Sequence, residues 1–145
     1  MPERMPACEE GCEDGEASLH FCFAASVESI TPVVEAVAEL ARRELGEEKE
    51  MELALALQEA LANAVVHGSG RDARKMVECW VALGTEGISI VVRDSGPGFS
   101  PEAVPSSTSE QQRGLDHGRG LIMIRRLMDE VHFRRNGAEI HMRKQ

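Results

Sequence analysis

Hydrophobic and polar positions alternate over residues 18–24, with Leu19, Phe21 and Phe23 on one side and Ser18, His20 and Cys22 on the other. A period of two marks a half-buried strand. From Ser29, a residue type suited to capping, the pattern turns helical: Ile30, Val33, Val34, Val37, Leu40 and Ala41 recur until Gly46 stops the run near Leu45. A second helix starts near Glu47, whose acidic first turn suits the helix dipole, and continues to Gly68. Two strands are expected next, over residues 75–83 and 87–94, joined by a short turn between Gly84 and Gly87. In the second strand Ile88, Ile90 and Val92 share a face, and Asp94 shares their parity, so it should emerge on the covered side. Residues 99–117 are rich in Ser, Pro, Gln and Glu and have no period. A loop that long in a compact domain is usually functional or disordered. Leu121, Ile124, Leu127 and Met128 predict a third helix over 121–129, entered through Gly118, Arg119 and Gly120. Asn136-Gly137 between alternating segments at 131–135 and 138–143 predicts a closing hairpin.

The organising stretch is residues 59–68, EALANAVVHG. A helix turns about 100° per residue, so Glu59, Asn63 and His67 fall on one polar stripe. Around it lie Leu57, Ala60, Leu61, Ala64, Val65 and Val66, so the helix reads as buried on most sides. An unpaired buried polar group costs about 1 to 3 kcal/mol, and a bound ligand would remove that cost. His67 reads as a helix-terminal hydrogen-bonding residue. After Asp94 comes SGPGF, where Gly96 and Gly98 allow a tight turn and close approach by a ligand. A glycine-rich helix entry at Gly118 to Gly120 reads as an anion seat, because free backbone N–H groups point outward there.

Composition narrows the classes. At 145 residues the chain is one domain's worth, and 42% hydrophobic content with 28% charge describes an ordinary globular protein. The net charge of -9 argues against direct nucleic-acid binding. Residues 1–17 read as a disordered acidic lead-in carrying Glu3, Glu9, Glu10, Glu13, Asp14 and Glu16 against Arg4. The domain proper is then 18–145. Basic residues gather late, at Arg125, Arg126, Arg134, Arg135, Arg143 and Lys144. No apolar run, such as residues 53–57, exceeds five residues, far short of a membrane span, and no signal-peptide pattern opens the chain, so a cytoplasmic location is expected. Cys8, Cys12, Cys22 and Cys79 form no disulfide framework. Cys8, Cys12 and His20 lack the paired spacing of a zinc site, so reduced thiols are expected, with Cys22 and Cys79 as small buried residues. Trp80 should sit on the sheet face that no helix covers, as a partner contact or a partly exposed packing residue.

Three separated stretches, EALANAVVHG, RDSGPGF and HGRGLIMIRRLMDEV, resemble the N, G1 and G2 boxes of the GHKL ATPase superfamily. The resemblance covers about residues 18–144 and is nearest to the stand-alone serine kinases that act as bacterial anti-sigma factors. It implies a Bergerat-type ATP-binding fold: an α/β (α+β) two-layer sandwich with a mixed, mostly antiparallel sheet covered on one face by three helices. It also implies ATP and Mg²⁺ as cofactors, with Glu59 as general base and Asn63 as magnesium ligand. Asp94 would accept a hydrogen bond from the adenine amino group. Gly96 and Gly98 would form the turn beneath adenine, Gly118, Arg119 and Gly120 would lie beside the phosphates, and residues 99–117 would be the ATP lid. A sigma factor and a serine-bearing anti-anti-sigma factor are the implied partners, with a homodimer as the implied assembly. A sensor kinase would need a phosphoacceptor histidine on an upstream helix, and the helix expected over 29–45 has none; gyrase-like members would need a transducer domain downstream. The rival expectation is a non-catalytic ATP-binding switch that sequesters a sigma factor through Trp80 and the basic tail.

Overall fold

A computed structural model of the chain describes residues 7–8, 17–70, 72–96 and 116–145. The strands are β1 (Ala7–Cys8), β2 (Ala17–Ala24), β3 (Met76–Gly84), β4 (Gly87–Arg93), β5 (Glu130–Arg134) and β6 (Glu139–Lys144). They form one sheet in the order β1-β2-β3-β4-β6-β5. The helices are α1 (Ile30–Leu45), α2 (Glu47–Ala62) and α3 (Asp116–Leu127). The architecture is the α+β sandwich expected. Every described pairing is antiparallel, so the sheet is not mixed among these residues. The reason is the order of the last strands: the chain crosses by way of α3 to the outer strand β5 and returns as β6 beside β4.

The core lies between the helices and one sheet face. Val77, Cys79 and Val81 of β3 and Ile88, Ile90 and Val92 of β4 meet Val33 and Val37 of α1, Leu53, Leu57 and Leu61 of α2, and Ile124 of α3. α2 lies between α1 and α3 and packs on both. Gly46, at φ +97°, turns the chain from α1 into α2. Ser29 precedes α1 as the pattern suggests, but its hydroxyl pairs with Ser26 Oγ at 3.2 Å and caps no backbone N–H. Cys79 is fully buried, and burial pushes its thiol up to about 12. Cys22 is only half-buried, on the open face.

Several boundaries differ from the sequence pattern. Of the expected lead-in, Ala7 and Cys8 pair antiparallel with Phe21 and His20 as β1, Ala17 opens β2 opposite Leu83, and the rest lies outside the described residues. The second helix does not stay α-helical to Gly68: Asn63–Gly68 is a π-helical turn, closed by Ser69 N–H to the Ala64 carbonyl at 2.9 Å. Helix α3 begins at Asp116, so Gly118, Arg119 and Gly120 lie inside it rather than ahead of it. Glycine weakens a helix by about 1 kcal/mol but does not forbid one, and the buried packing of Leu121 and Ile124 carries the helix through. The same helix stops at Leu127, because Lys144 Nζ bonds the Leu127 carbonyl at 2.5 Å and Asp129 N–H turns to the Arg143 carbonyl at 2.9 Å.

The last hairpin is also wider than Asn136-Gly137 predicts. Arg134 and Glu139 are its final pair, leaving a four-residue connection with Arg135 at φ +56° and Gly137 at φ +89°. The cause is tertiary: the Ala138 carbonyl accepts the Asp94 N–H at 2.9 Å, tying the hairpin tip to the end of β4. On the open sheet face Trp80 is a packing residue, stacked on His20 at 4.8 Å between ring centroids and 6° between planes. The Arg93 guanidinium lies 4.8 Å from the indole centroid. His20 also reaches Glu78 Oε2 at 3.0 Å, and Arg93 donates to Glu139 Oε2 at 2.6 Å.

Leu57→Ala removes a fully buried side chain at the centre of this core. The expected loss is about 2 to 5 kcal/mol, read as a lower denaturant midpoint at unchanged m-value.

Candidate functional site

The stripe read from EALANAVVHG opens onto a cavity of about 250 Å³. Its sheet wall is a single cross-strand row: Val92 pairs with Ile140, and Ile140 with Phe133. The facing wall is Ala60 and Ala64 of the second helix with Leu121 of α3. Two alanines one turn apart leave space that longer side chains would fill. An apolar slot with a few polar groups at its ends is the usual form of a small-molecule site.

Asp94 stands at one end. Its Oδ1 accepts the Gly96 N–H at 2.7 Å, which leaves Oδ2 as the acceptor for a ligand. Burial raises the Asp94 pKa from its ordinary value, opposed by the Gly96 hydrogen bond and then by the positive charge of Lys75. Two glycines make this placement possible. A Cβ on Gly68 would overlap the Asp94 carboxylate, and a Cβ on Gly96 would overlap the Gly68 carbonyl. The end of the second helix, the end of β4 and the following turn therefore touch through bare backbone.

Glu59 and Asn63 stand at the other end, against the first turns of α3. A Cβ on Gly120 would lie 2.7 Å from Glu59 Oε2 and 3.5 Å from Asn63 Nδ2. Asn63 Nδ2 is buried without a hydrogen-bond partner among the described residues. An orphan of this kind is costly unless a ligand completes it. The first N–H groups of α3, those of residues 116–118, lack acceptors within the helix and favour an anion at the same end. The N–H groups of Arg119 and Gly120 are far enough into the helix to bond within it, which moves the expected anion seat toward Gly118.

Of the sequence-predicted residues, Asn63 and Asp94 line the cavity; Glu59 and Gly120 adjoin Asn63, and Gly96 adjoins Asp94. Gly118 and Arg119 are placed by their backbone in the first turns of α3. Gly98 and almost all of the loop over 99–117 lie outside the described residues. His67 is exposed and lines the cavity. The sequence pattern assigns no role to Gly68, although it closes the motif, nor to Phe133, Ala138 and Ile140, which complete the cavity. Alternation in β5 and β6 could have placed Phe133 and Ile140 on the covered face; no local signal marks Gly68.

A family model for the histidine kinase-like ATPase domain matches residues 23–144. The chain belongs to this family. No curated protein sequence matches it significantly. Histidine kinase-like ATPase domains bind ATP, usually with Mg²⁺, a hard cation that takes oxygen ligands. The residues present suit that ion. The Asn63 carboxamide nitrogen is buried and unsatisfied, its O and N are interchangeable by a flip, and the Glu59 carboxylate lies beside the same glycine. Among the described residues no helix is long and apolar enough to cross a membrane, and no cluster of three His, Cys, Asp or Glu could hold a metal.

Gly68→Ala is expected to displace Asp94 and lower adenine-nucleotide affinity at least tenfold, measured by calorimetric titration.

Proposed function

We propose that the chain is an ATP-dependent serine kinase that acts as an anti-sigma factor, phosphorylating an anti-anti-sigma partner and sequestering a sigma factor. The observation that carries the reading is the unsatisfied Asn63, which lines the same cavity as Asp94 and lies with Glu59 against Gly120. The partner assignment, and a homodimeric state with it, follows from the resemblance of the three boxes to the stand-alone kinases.

Phosphoryl transfer is chiefly positioning and charge stabilisation. Asp94 Oδ2 accepts a hydrogen from the adenine amino group, with the ring held between the Val92-Ile140-Phe133 row and Ala60, Ala64 and Leu121. The free N–H groups at the start of α3, including that of Gly118, meet the phosphates, with Arg119 and Gly120 beside them. Asn63 would hold Mg²⁺, which when bound neutralises phosphate charge. Glu59 takes the serine hydroxyl proton as the serine oxygen bonds to the γ-phosphorus and the bond to the ADP oxygen breaks. A carboxylate beside Asn63 favours this over the non-catalytic switch, which has no use for a base there.

Titration of Mg-ATP into the wild type and into Asp94→Asn tests the nucleotide site. Loss of a hydrogen bond to a charged acceptor costs about 1.5 to 3 kcal/mol, so affinity should fall roughly 10- to 100-fold. Wild type that binds no nucleotide refutes the reading. Glu59→Ala should bind Mg-ATP normally and fail to phosphorylate a serine-bearing partner; retained transfer refutes its role as base.

The raised Asp94 pKa has a definite sign. Binding uses the ionised carboxylate, so ATP affinity should fall as pH drops through a pKa above the ordinary aspartate value of about 3.9. The acid limb should vanish in Asp94→Asn. For the unliganded fold the sign is opposite: ionising Asp94 costs stability above that pKa, and the cost disappears as pH falls.

A further inference from the structure

The described residues include four exposed large hydrophobic side chains, and two of them, Met51 and Leu55, are 66% and 45% exposed on α2. Single exposed hydrophobics need no explanation. These two are not scattered. At about 100° per residue Met51, Leu55 and Glu59 climb one side of the helix, a turn apart. The opposite side, Leu53, Leu57 and Leu61, is fully buried. With α1 and α3 packed on its flanks, α2 turns this stripe outward and leads it to the edge of the candidate site. Its N-terminal end is acidic: Glu47 and Glu48 are exposed, with Lys49 as the one cation in the first turn.

We propose that this stripe is the docking track for the protein substrate. The occupant is a basic, apolar segment that offers a serine or threonine hydroxyl to Glu59. It lays apolar side chains on Leu55 and Met51 and sets a Lys or Arg against Glu48. The inference rests on the kinase reading above and specifies the substrate class for the same site. From Glu48 to Glu59 the helix rises about 16 Å at 1.5 Å per residue. An extended segment spans that in about five residues at roughly 3.3 Å each. The recognised pattern is therefore a hydroxyl residue with a cation about five positions away and apolar residues between. Charge sets register here, while the apolar contacts supply most of the hold.

The test uses the full chain, radiolabelled Mg-ATP and a positional library of synthetic serine peptides. The expected result is selection for a Lys or Arg about five positions from the serine and for apolar residues between. Met51→Ser/Leu55→Ser should raise peptide KM about tenfold, with kcat and Mg-ATP affinity unchanged. Glu48→Lys should reverse the charge preference from basic to acidic peptides. Both changes are at exposed positions, and unchanged Mg-ATP affinity reports an intact fold. Peptides labelled without selection, or with selection that neither variant alters, overturn the docking track and leave the kinase reading standing. No peptide labelled, with Mg-ATP bound, overturns the docking track and leaves the serine-bearing partner as the test of phosphoryl transfer. A change in oligomeric state in the double variant, with peptide selection intact, assigns the stripe to a second copy and overturns the proposal.

Discussion

The candidate site depends on one steric condition: backbone must touch backbone where the second helix ends and β4 runs out. Gly68 and Gly96 meet there with the Asp94 carboxylate held against them, and no side chain larger than hydrogen fits at either position. This contact joins two elements that the chain separates by β3 and a hairpin. It also explains why polar groups sit at the cavity ends and apolar ones between. Strand alternation delivers Val92 and Ile140 to the floor, helix spacing delivers Ala60 and Ala64 to the roof, and the glycines let Asp94 close one end.

Much of this was legible because it is periodic. The parity of Ile88, Ile90 and Val92 alone puts Asp94 on the covered side, and the spacing from Glu59 to Asn63 puts both on one stripe. The limits of α1 followed from its apolar repeat and Gly46. What was not legible is decided by contacts between distant residues. The π-helical turn over Asn63–Gly68 has no compositional mark. The start of α3 at Asp116 ignores two glycines because packing further along the helix outweighs their intrinsic cost. The four-residue hairpin tip overrides the preference of Asn136-Gly137, because the Ala138 carbonyl is engaged by Asp94 N–H.

A second set of contacts seals the opposite corner. Lys144 is 7% exposed on the helix-facing side of β6, where its ammonium bonds the Leu127 carbonyl and lies 3.0 Å from Glu52 Oε1. A cation at the C-terminus of α3 meets the negative end of the helix dipole. Two of the three helices and the final strand are thus pinned at a point remote from Asp94. The start of α3, where Glu59 and Asn63 meet Gly120, is the end that this anchor leaves open to a ligand.

The single tryptophan gives the fold an optical consequence. Trp80 lies on the sheet face away from the cavity, so a nucleotide in the cavity does not touch the indole. Yet the cation over its ring belongs to Arg93, the chain neighbour of Asp94. Indole emission responds to nearby charge, so a shift of Arg93 relative to the ring changes it. The protein therefore carries a native fluorophore that registers movement at the end of β4 from behind the sheet, without a label and without contact with the ligand.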